Sequence, residues 1–499
     1  KQAGVPFVIV EKNPTTAGTW YENTYPGCGV DTVSHFYSFS FRPNHDWTHY
    51  FAKREEIYAY IEAVVDEHGL REHIRFGEEV ERLRWNEGRA LWEVDAKPVA
   101  GGAGVRLEAR AVISAVGLLN RPSTPEIPGL DAFGGPVLHT AAWDGGVDLA
   151  NRRVAVVGTG ASGMQVGPAL APVVEHLTVF QRSAHWVNHN PLYHAEVSPG
   201  QRWALQHIPH FSQWQRFLFF WGSSDGLHAS LKMDPDWPHP EQSLNAANQQ
   251  IRQTLIDYLQ RQLAGRDDLI AKCLPDYPPY GKRMLRDNHW FEMLKRPNVT
   301  LETTGIAHVN EHAVVLEDAR SVEVDAIVFA TGFHAGRMLW PMRVIGRGGV
   351  EVRDVWGDED ARAYKGITVP GFPNLFLTSG PNTGLAHGGS HFFHSECQVK
   401  YITEAIRQMV ENDWKAVEVR ADAHDRYNDE VDRRAGGMVW AHPGVKSWYK
   451  NSKGRVTIIS PWRLVEYWNQ TRAFDAEAYR ITSGLPSTGK ACASGALSG

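Results

Sequence analysis

Residues 153–163 read RVAVVGTGASG, and the reading of this stretch decides the fold. Arg153 to Val157 is a short, β-branched apolar run of the kind buried in parallel sheets. Gly158, Gly160 and Gly163 follow at the spacing of the GxGxxG turn, and a helix from about Met164 and a second strand, Leu177 to Phe180, complete the unit. In that setting Gly158 permits the tight turn, Gly160 lets the backbone approach a pyrophosphate, and Gly163 lets helix and strand pack closely. Thr159, Ser162 and the free N–H groups of the helix N-terminus surround the same phosphates. The second strand ends in Gln181-Arg182-Ser183, where a site for a free ribose 2′-OH would carry Asp or Glu. Arg182 suits a 2′-phosphate, so the expected ligand is NADPH; a solvated strand-end charge is the alternative.

Working outward, Val5 to Glu11 (VPFVIVE) reads as a buried parallel strand with a terminal acid. Glu11 stands where an acid would hold the ribose of a dinucleotide without a 2′-phosphate, FAD or NAD. The matching glycine turn, about twenty residues earlier, would fall before Lys1. Without its strand the sheet should expose apolar surface, and weak FAD binding or poor folding is expected of a chain starting at Lys1. Ile113 to Gly117 (ISAVG) and Val324 to Phe333 (VDAIVFATGF, with Thr331 and Gly332) look like two exits flanking an inserted unit. The expected fold is therefore α/β, with two Rossmann-like dinucleotide-binding domains and the NADPH domain inserted in the FAD domain. The expected division is 1–122 for the first FAD part, 123–305 for the NADPH domain and 306–480 for the second FAD part. A helical insert is expected at about 190–280, and the Gly-, Ser- and Ala-rich 481–499 reads as a disordered tail.

The bulk properties bound the function. The chain has 499 residues, 42% hydrophobic and 22% charged, with a net charge of -6, which gives no support for a nucleic-acid partner. No apolar stretch reaches the roughly eighteen residues of a membrane span, and a cytoplasmic enzyme is the default. Cys28, Cys273, Cys397 and Cys492 are scattered without a CxxC, which argues against a disulfide framework, a zinc site or a dithiol reductase. His185, His189 and His194 do not recur on one face and have no carboxylate partner, so no metal is expected. Of the aromatics Trp203, Trp214, Phe217, Phe219, Phe220 and Trp221, most are expected in helix packing, with a substrate tunnel as the alternative.

The stretch Phe133 to Asp144, FGGPVLHTAAWD, matches F-x-G-x-x-x-H-T-x-x-W-[PD], with Phe133, Gly135, His139, Thr140 and Trp143 at the fixed positions. By this fingerprint the chain resembles the Baeyer–Villiger monooxygenases. Gly18-Thr19-Trp20-Tyr21, Tyr25-Pro26-Gly27, Asp31, Tyr37 to Phe41, Tyr280-Gly281-Lys282-Arg283, and Gly371 to Phe376 with Gly380 to Gly384 resemble further family segments. The fingerprint's Trp-Asp ending and the HPGVKSWY stretch from His442 are most similar to the aryl-ketone branch typified by 4-hydroxyacetophenone monooxygenase.

The resemblance implies an enzyme that uses FAD, NADPH and O2 to turn ketones, aryl ketones above all, into esters or lactones through a flavin C4a-peroxide. It implies Arg283 as the cation at the developing negative charge and Asp31 as its orienting partner. Lys282 would join Arg182 and Ser183 at the 2′-phosphate. Glu11, Thr19, Trp20, Tyr37 and Asn382 would lie on the flavin side, and Trp440 and Trp448 at the pocket. From residue types alone, Lys282-Arg283 could equally be an exposed basic turn and Asp31 a helix cap. His139 reads as structural, with coupling of domain rotation to cofactor position as the functional alternative. The rival functions are a nitrogen- or sulfur-oxidising flavin monooxygenase and a non-catalytic NADPH-binding remnant; homodimerisation stays open.

Overall fold

A computed structural model describes residue 1 and residues 3–483. In chain order the elements that position the site are β1 (Ile9–Glu11), β2 (Ile74–Phe76), β3 (Val112–Ser114), β4 (Val137–His139) and β5 (Arg153–Val157). Helix α1 (Ala161–Leu170), β6 (His176–Phe180), α2 (Phe211–Ser223), β7 (Val299–Glu302), β8 (Ala326–Phe329), β9 (Leu375–Leu377) and α3 (His391–Glu411) follow.

The middle of the molecule is a five-stranded parallel sheet in the order β7-β6-β5-β8-β4. Its strands are continuously apolar because both faces are covered. Val154, Val156, Leu177 and Val328 pack with Met164, Val166 and Leu170 of α1 and with Trp290 and Met293 behind it. Ala155, Phe180, Ile327 and Phe329 meet Val309, Val314 and Leu316 of a small antiparallel sheet on the other side. Helices Pro199–His207, α2, Ala246–Gln262 and Asp267–Cys273 lie between β6 and β7 in sequence. The first starts at Ser198, whose Oγ accepts the Gln201 N–H, with Pro199 inside the first turn.

Outside this unit, β1 pairs in parallel with β2, and β3 with β9. Phe7, Val8 and Ile9 around β1 and Ile113 and Val116 around β3 are exposed, so both pairs present apolar surface. Among the described residues no helix is long and apolar enough to cross a membrane.

Two expected boundaries move. Ala326–Phe329 was placed in the second FAD part, but β8 is hydrogen-bonded between β5 and β4, so the chain leaves the central sheet only after about residue 330. The expected tail begins too early, because Tyr479–Ser483 is a strand paired antiparallel with Trp414–Val419; residues 484–499 lie outside the described residues.

Candidate active site

The glycine turn joins β5 to α1 as its spacing requires. Gly158 has φ 108°, and a Cβ there would fall 2.6 Å from the Ala330 carbonyl oxygen. A Cβ at Gly163 would fall 2.3 Å from the Gly158 carbonyl oxygen, whereas Gly160 faces open space. Strand, turn and helix are thus pressed together while the face at Gly160 stays clear for a phosphate. Half-buried Ser162 lies in the first turn of α1, and the buried Thr159 hydroxyl donates to the Ser183 carbonyl at 3.5 Å. At the end of β6, Lys282 Nζ donates to Ser183 Oγ at 2.7 Å and sits 4.6 Å from the centre of the Tyr277 ring. Burial, with Arg182 nearby, lowers the Lys282 pKa. Exposed Arg182 and half-buried Ser183 and Lys282 form one polar, cationic corner.

The fingerprint is built into the edge of the same sheet. A Cβ at Gly135 would fall 2.2 Å from the Asp325 carbonyl oxygen, so only glycine lets β4 lie against β8. Thr140 N–H continues the pairing to the Phe329 carbonyl at 2.9 Å. Half-buried Phe133 and Trp143 pack against the two cores that flank the sheet. His139 Nδ1 accepts the Ala141 N–H at 3.0 Å, which puts the ring proton on Nε2, 3.3 Å from Thr331 Oγ1. Thr331 in turn donates to the Ser123 carbonyl at 2.5 Å. Thr331 and Gly332 thus leave β8 beside the Gly158 turn, with the Thr331 hydroxyl engaged.

Asp31 and Arg283, 252 residues apart, meet in a forked ion pair: Nη2 to the two carboxylate oxygens at 2.7 and 2.8 Å, Nε to one at 3.0 Å. Nη1 donates to the Leu385 carbonyl at 2.7 Å. The Asp31 loop is pinned on both sides, by Val30 N–H to Ala52 O at 3.1 Å and Ser34 N–H to Tyr50 O at 2.7 Å. Arg283 is held by the parallel pairing of Leu285–Arg286 with Val187–Asn188 just beyond it. Burial alone would raise the Asp31 carboxyl, but the guanidinium more than offsets it and holds the pKa below its ordinary value. Burial likewise opposes the Arg283 charge, and Asp31 restores it. About a quarter of each side chain remains exposed (26%). Both line a cavity of about 360 Å³, walled on the insert side by Leu218, Phe219 and Leu227. The pair holds a guanidinium in one orientation at the edge of a space large enough for a small organic molecule.

On the flavin side of the prediction, Glu11 ends β1 half-buried, and one carboxylate oxygen accepts the Asn13 N–H at 2.9 Å. Burial raises its pKa. Thr19 is exposed at the start of a single helical turn, and the buried Trp20 indole donates to the Tyr37 hydroxyl at 3.3 Å. Asn382 turns its side chain to the C-terminal segment. Its amide donates to the Val456 and Ile459 carbonyls at 2.8 and 3.2 Å, its oxygen accepts from Arg455 at 3.2 Å, and it is 3% exposed.

Of the aromatics, Phe219 lines the cavity, Phe220 packs on Phe36 and Phe393, and Trp203, Trp214, Phe217 and Trp221 are exposed. Trp440 is fully buried with its ring centre 6.1 Å from that of His387, which lines the cavity; Trp448 is exposed against Tyr449. His189 stacks on Tyr258 and His194 on His289, and among the described residues no group of side chains could hold a metal. Sequence reasoning missed Phe36 and His387, single residues whose pattern carries no signal of a cavity.

A family model described as pyridine nucleotide-disulphide oxidoreductase matches residues 24–213. An uncharacterized monooxygenase of Sinorhizobium fredii is 41% identical over 98% of this chain and 75% of its own. A Baeyer–Villiger monooxygenase of Streptomyces coelicolor is 36% identical over 96% of this chain and 88% of its own. The crystal structure of cyclohexanone monooxygenase from Rhodococcus sp. Phi1, bound to NADP+, superposes with a TM-score of 0.81 at 30% identity over 96% of this chain and 94% of that one. Relatives this similar over nearly the whole chain show the family: the chain belongs to the family of flavin-dependent Baeyer–Villiger monooxygenases.

Proposed function

We propose that the protein uses NADPH and O2 to convert ketones, aryl ketones in particular, into esters or lactones. The observation that carries the reading is the forked Asp31–Arg283 pair facing a cavity of about 360 Å³ walled on one side by α2. The open Gly160 backbone and the α1 N-terminus fit a pyrophosphate, and the corner of Arg182, Ser183 and Lys282 fits a 2′-phosphate. Glu11, Thr19, Trp20 and Tyr37 fit the flavin nucleotide, with one Glu11 oxygen still free for a ribose hydroxyl. FAD and NADPH, when bound, supply hydride transfer and the activation of O2.

The protein's part is positioning and charge. Arg283 keeps its charge at any working pH and meets negative charge as it develops on the ketone oxygen, where such stabilisation counts most. Asp31 fixes the guanidinium in one orientation and prevents it from pairing elsewhere. The apolar wall formed with α2 keeps water from the reacting centre. The strand pairing favours a division into 1–122 and 331–483 for the FAD part and 123–330 for the NADPH part.

The test is incubation of the FAD-loaded protein with NADPH, O2 and an aryl methyl ketone, with products identified by mass spectrometry. An ester one oxygen heavier than the ketone is expected. NADPH consumption yielding only hydrogen peroxide across a panel of aryl ketones would overturn the aryl-ketone reading.

A further inference from the structure

The mechanism above uses one of the two guanidinium groups on the cavity wall. The other belongs to Arg286, half-buried and lining the same cavity. Its backbone is fixed by the parallel pairing of Leu285–Arg286 with Val187–Asn188, which continues on either side through Leu285 N–H to Trp186 O and Asp287 N–H to Asn188 O, both at 3.1 Å. Among the described residues the Arg286 side chain forms no ion pair and no hydrogen bond, and none of its nitrogens is shut off from accessible space.

The acids that could neutralise it are engaged elsewhere. Asp31, the one carboxylate on the cavity wall, gives both oxygens to Arg283. Asp287, next in the chain, accepts from the Tyr258 hydroxyl and the Trp290 N–H. The cavity therefore holds two guanidinium groups against one carboxylate. His387 on the same wall adds no charge at working pH, because burial pushes its pKa down to about 3.

Two amides stand with the unneutralised cation. Asn188 is the register partner of Arg286, so neighbouring strands bring both side chains to the cavity. Asn190 also lines it; its Oδ1 accepts the Leu192 N–H at 2.9 Å, which leaves its NH2 to donate. A partly buried charge without a partner is costly, and a carboxylate matches a guanidinium fork with two parallel hydrogen bonds. Phe36, Leu192, Leu218, Phe219 and Leu227 supply apolar wall for the body of such a molecule. We propose that Arg286, with Asn188 and Asn190, forms an anion subsite in the cavity, and that ketones carrying a carboxylate away from the reacting carbonyl are the preferred substrates. The proposal rests on the ketone-oxygenating reading above.

The experiment compares 4-acetylbenzoate with its neutral isostere, 4-acetylbenzamide, in the FAD-loaded wild type and in Arg286→Met and Arg286→Lys. The wild-type kcat/KM ratio should favour the carboxylate by about 10–100-fold, the usual worth of a hydrogen bond to a charged group. That ratio should fall to about one in Arg286→Met and stay several-fold in Arg286→Lys, which keeps the charge without the fork. A wild-type ratio near one, or a ratio unchanged in Arg286→Met, would overturn the proposal. A KM for NADPH raised in Arg286→Met with the substrate ratio unchanged would give the cation to a cofactor phosphate and overturn it too. If neither ketone yields an ester, the oxygenation reading fails separately. The subsite is then decided by the ratio of the dissociation constants of the two compounds, measured by calorimetry without NADPH in the same three proteins. If Arg286→Met does not fold, the Arg286→Lys ratio decides: it must lie below that of the wild type and above one.

Discussion

A guanidinium that must stabilise charge in a dry site has to be kept from collapsing onto other acceptors, and Asp31 does this for Arg283 with three short hydrogen bonds. The side-chain hydrogen bonds of Arg283 go to Asp31 and Leu385, not to the glycine turn or to the corner of Arg182, Ser183 and Lys282. Arg283→Ala is expected to oxidise NADPH still, while ester formation falls by about 100–1000-fold, the usual loss on deleting one such stabiliser. Rapid-mixing absorbance of the flavin together with product analysis separates the two steps; normal ester yield would remove Arg283 from the mechanism. Asp31→Ala should lose most of the ester yield too, because an unpaired guanidinium can turn to other acceptors. Spacing could not have revealed this pair, since its members are 252 residues apart; only likeness to a family joined them on paper. The direction of the Asn382 amide was not legible either, because a motif fixes where the backbone goes and not which way an amide turns once Val456, Ile459 and Arg455 compete for it.

Strands and turns were legible where their causes are local. The β5–turn–α1 unit is written in contiguous residues, and Gly158 and Gly163 have the steric reasons their spacing implies, while Gly160 faces open space. Gly163→Ala would drive a methyl group into the Gly158 carbonyl, and helix and turn must then part. A rise of tenfold or more in the KM for NADPH, roughly 1.4 kcal/mol in binding, is expected from steady-state kinetics, and an unchanged KM would mean the turn does not hold the nucleotide. The place of β8 was not legible, because Ala-Ile-Val-Phe reads as a buried strand in whichever sheet receives it. Only hydrogen bonding to both β5 and β4 puts it in the central sheet. That pairing gives His139 its meaning. Through Thr331 and Ser123 it ties the fingerprint strand to the links by which the chain enters and leaves the central sheet. His139→Ala should therefore raise the fraction of NADPH spent on hydrogen peroxide, assayed with and without catalase. Coupling equal to wild type would assign His139 to packing alone.

At the scale of the whole molecule, folding buries histidines in their neutral form. Burial pushes His35 down to about 4 and His387 and His394 down to about 3, each with less than a tenth of its surface exposed. In the unfolded chain the same rings titrate near 6.5. Between those values the unfolded state binds more protons than the native state, so stability rises with pH. The contribution is complete above about pH 6.5 and is lost as pH falls toward 4. Each such ring supplies a slope of up to about 1.4 kcal/mol per pH unit in that window. The depressed Asp31 acts in the same direction, but only once pH falls into the carboxylate range, so the interval from pH 6.5 to 5 belongs to the histidines. The Tm of the flavin-loaded protein, followed at constant ionic strength, should be level above pH 7 and drop by several degrees between pH 6.5 and 5. His35→Asn, which removes one titrating ring, should make that drop shallower. A Tm that stays flat or rises on acidification would mean these rings are protonated in the native state.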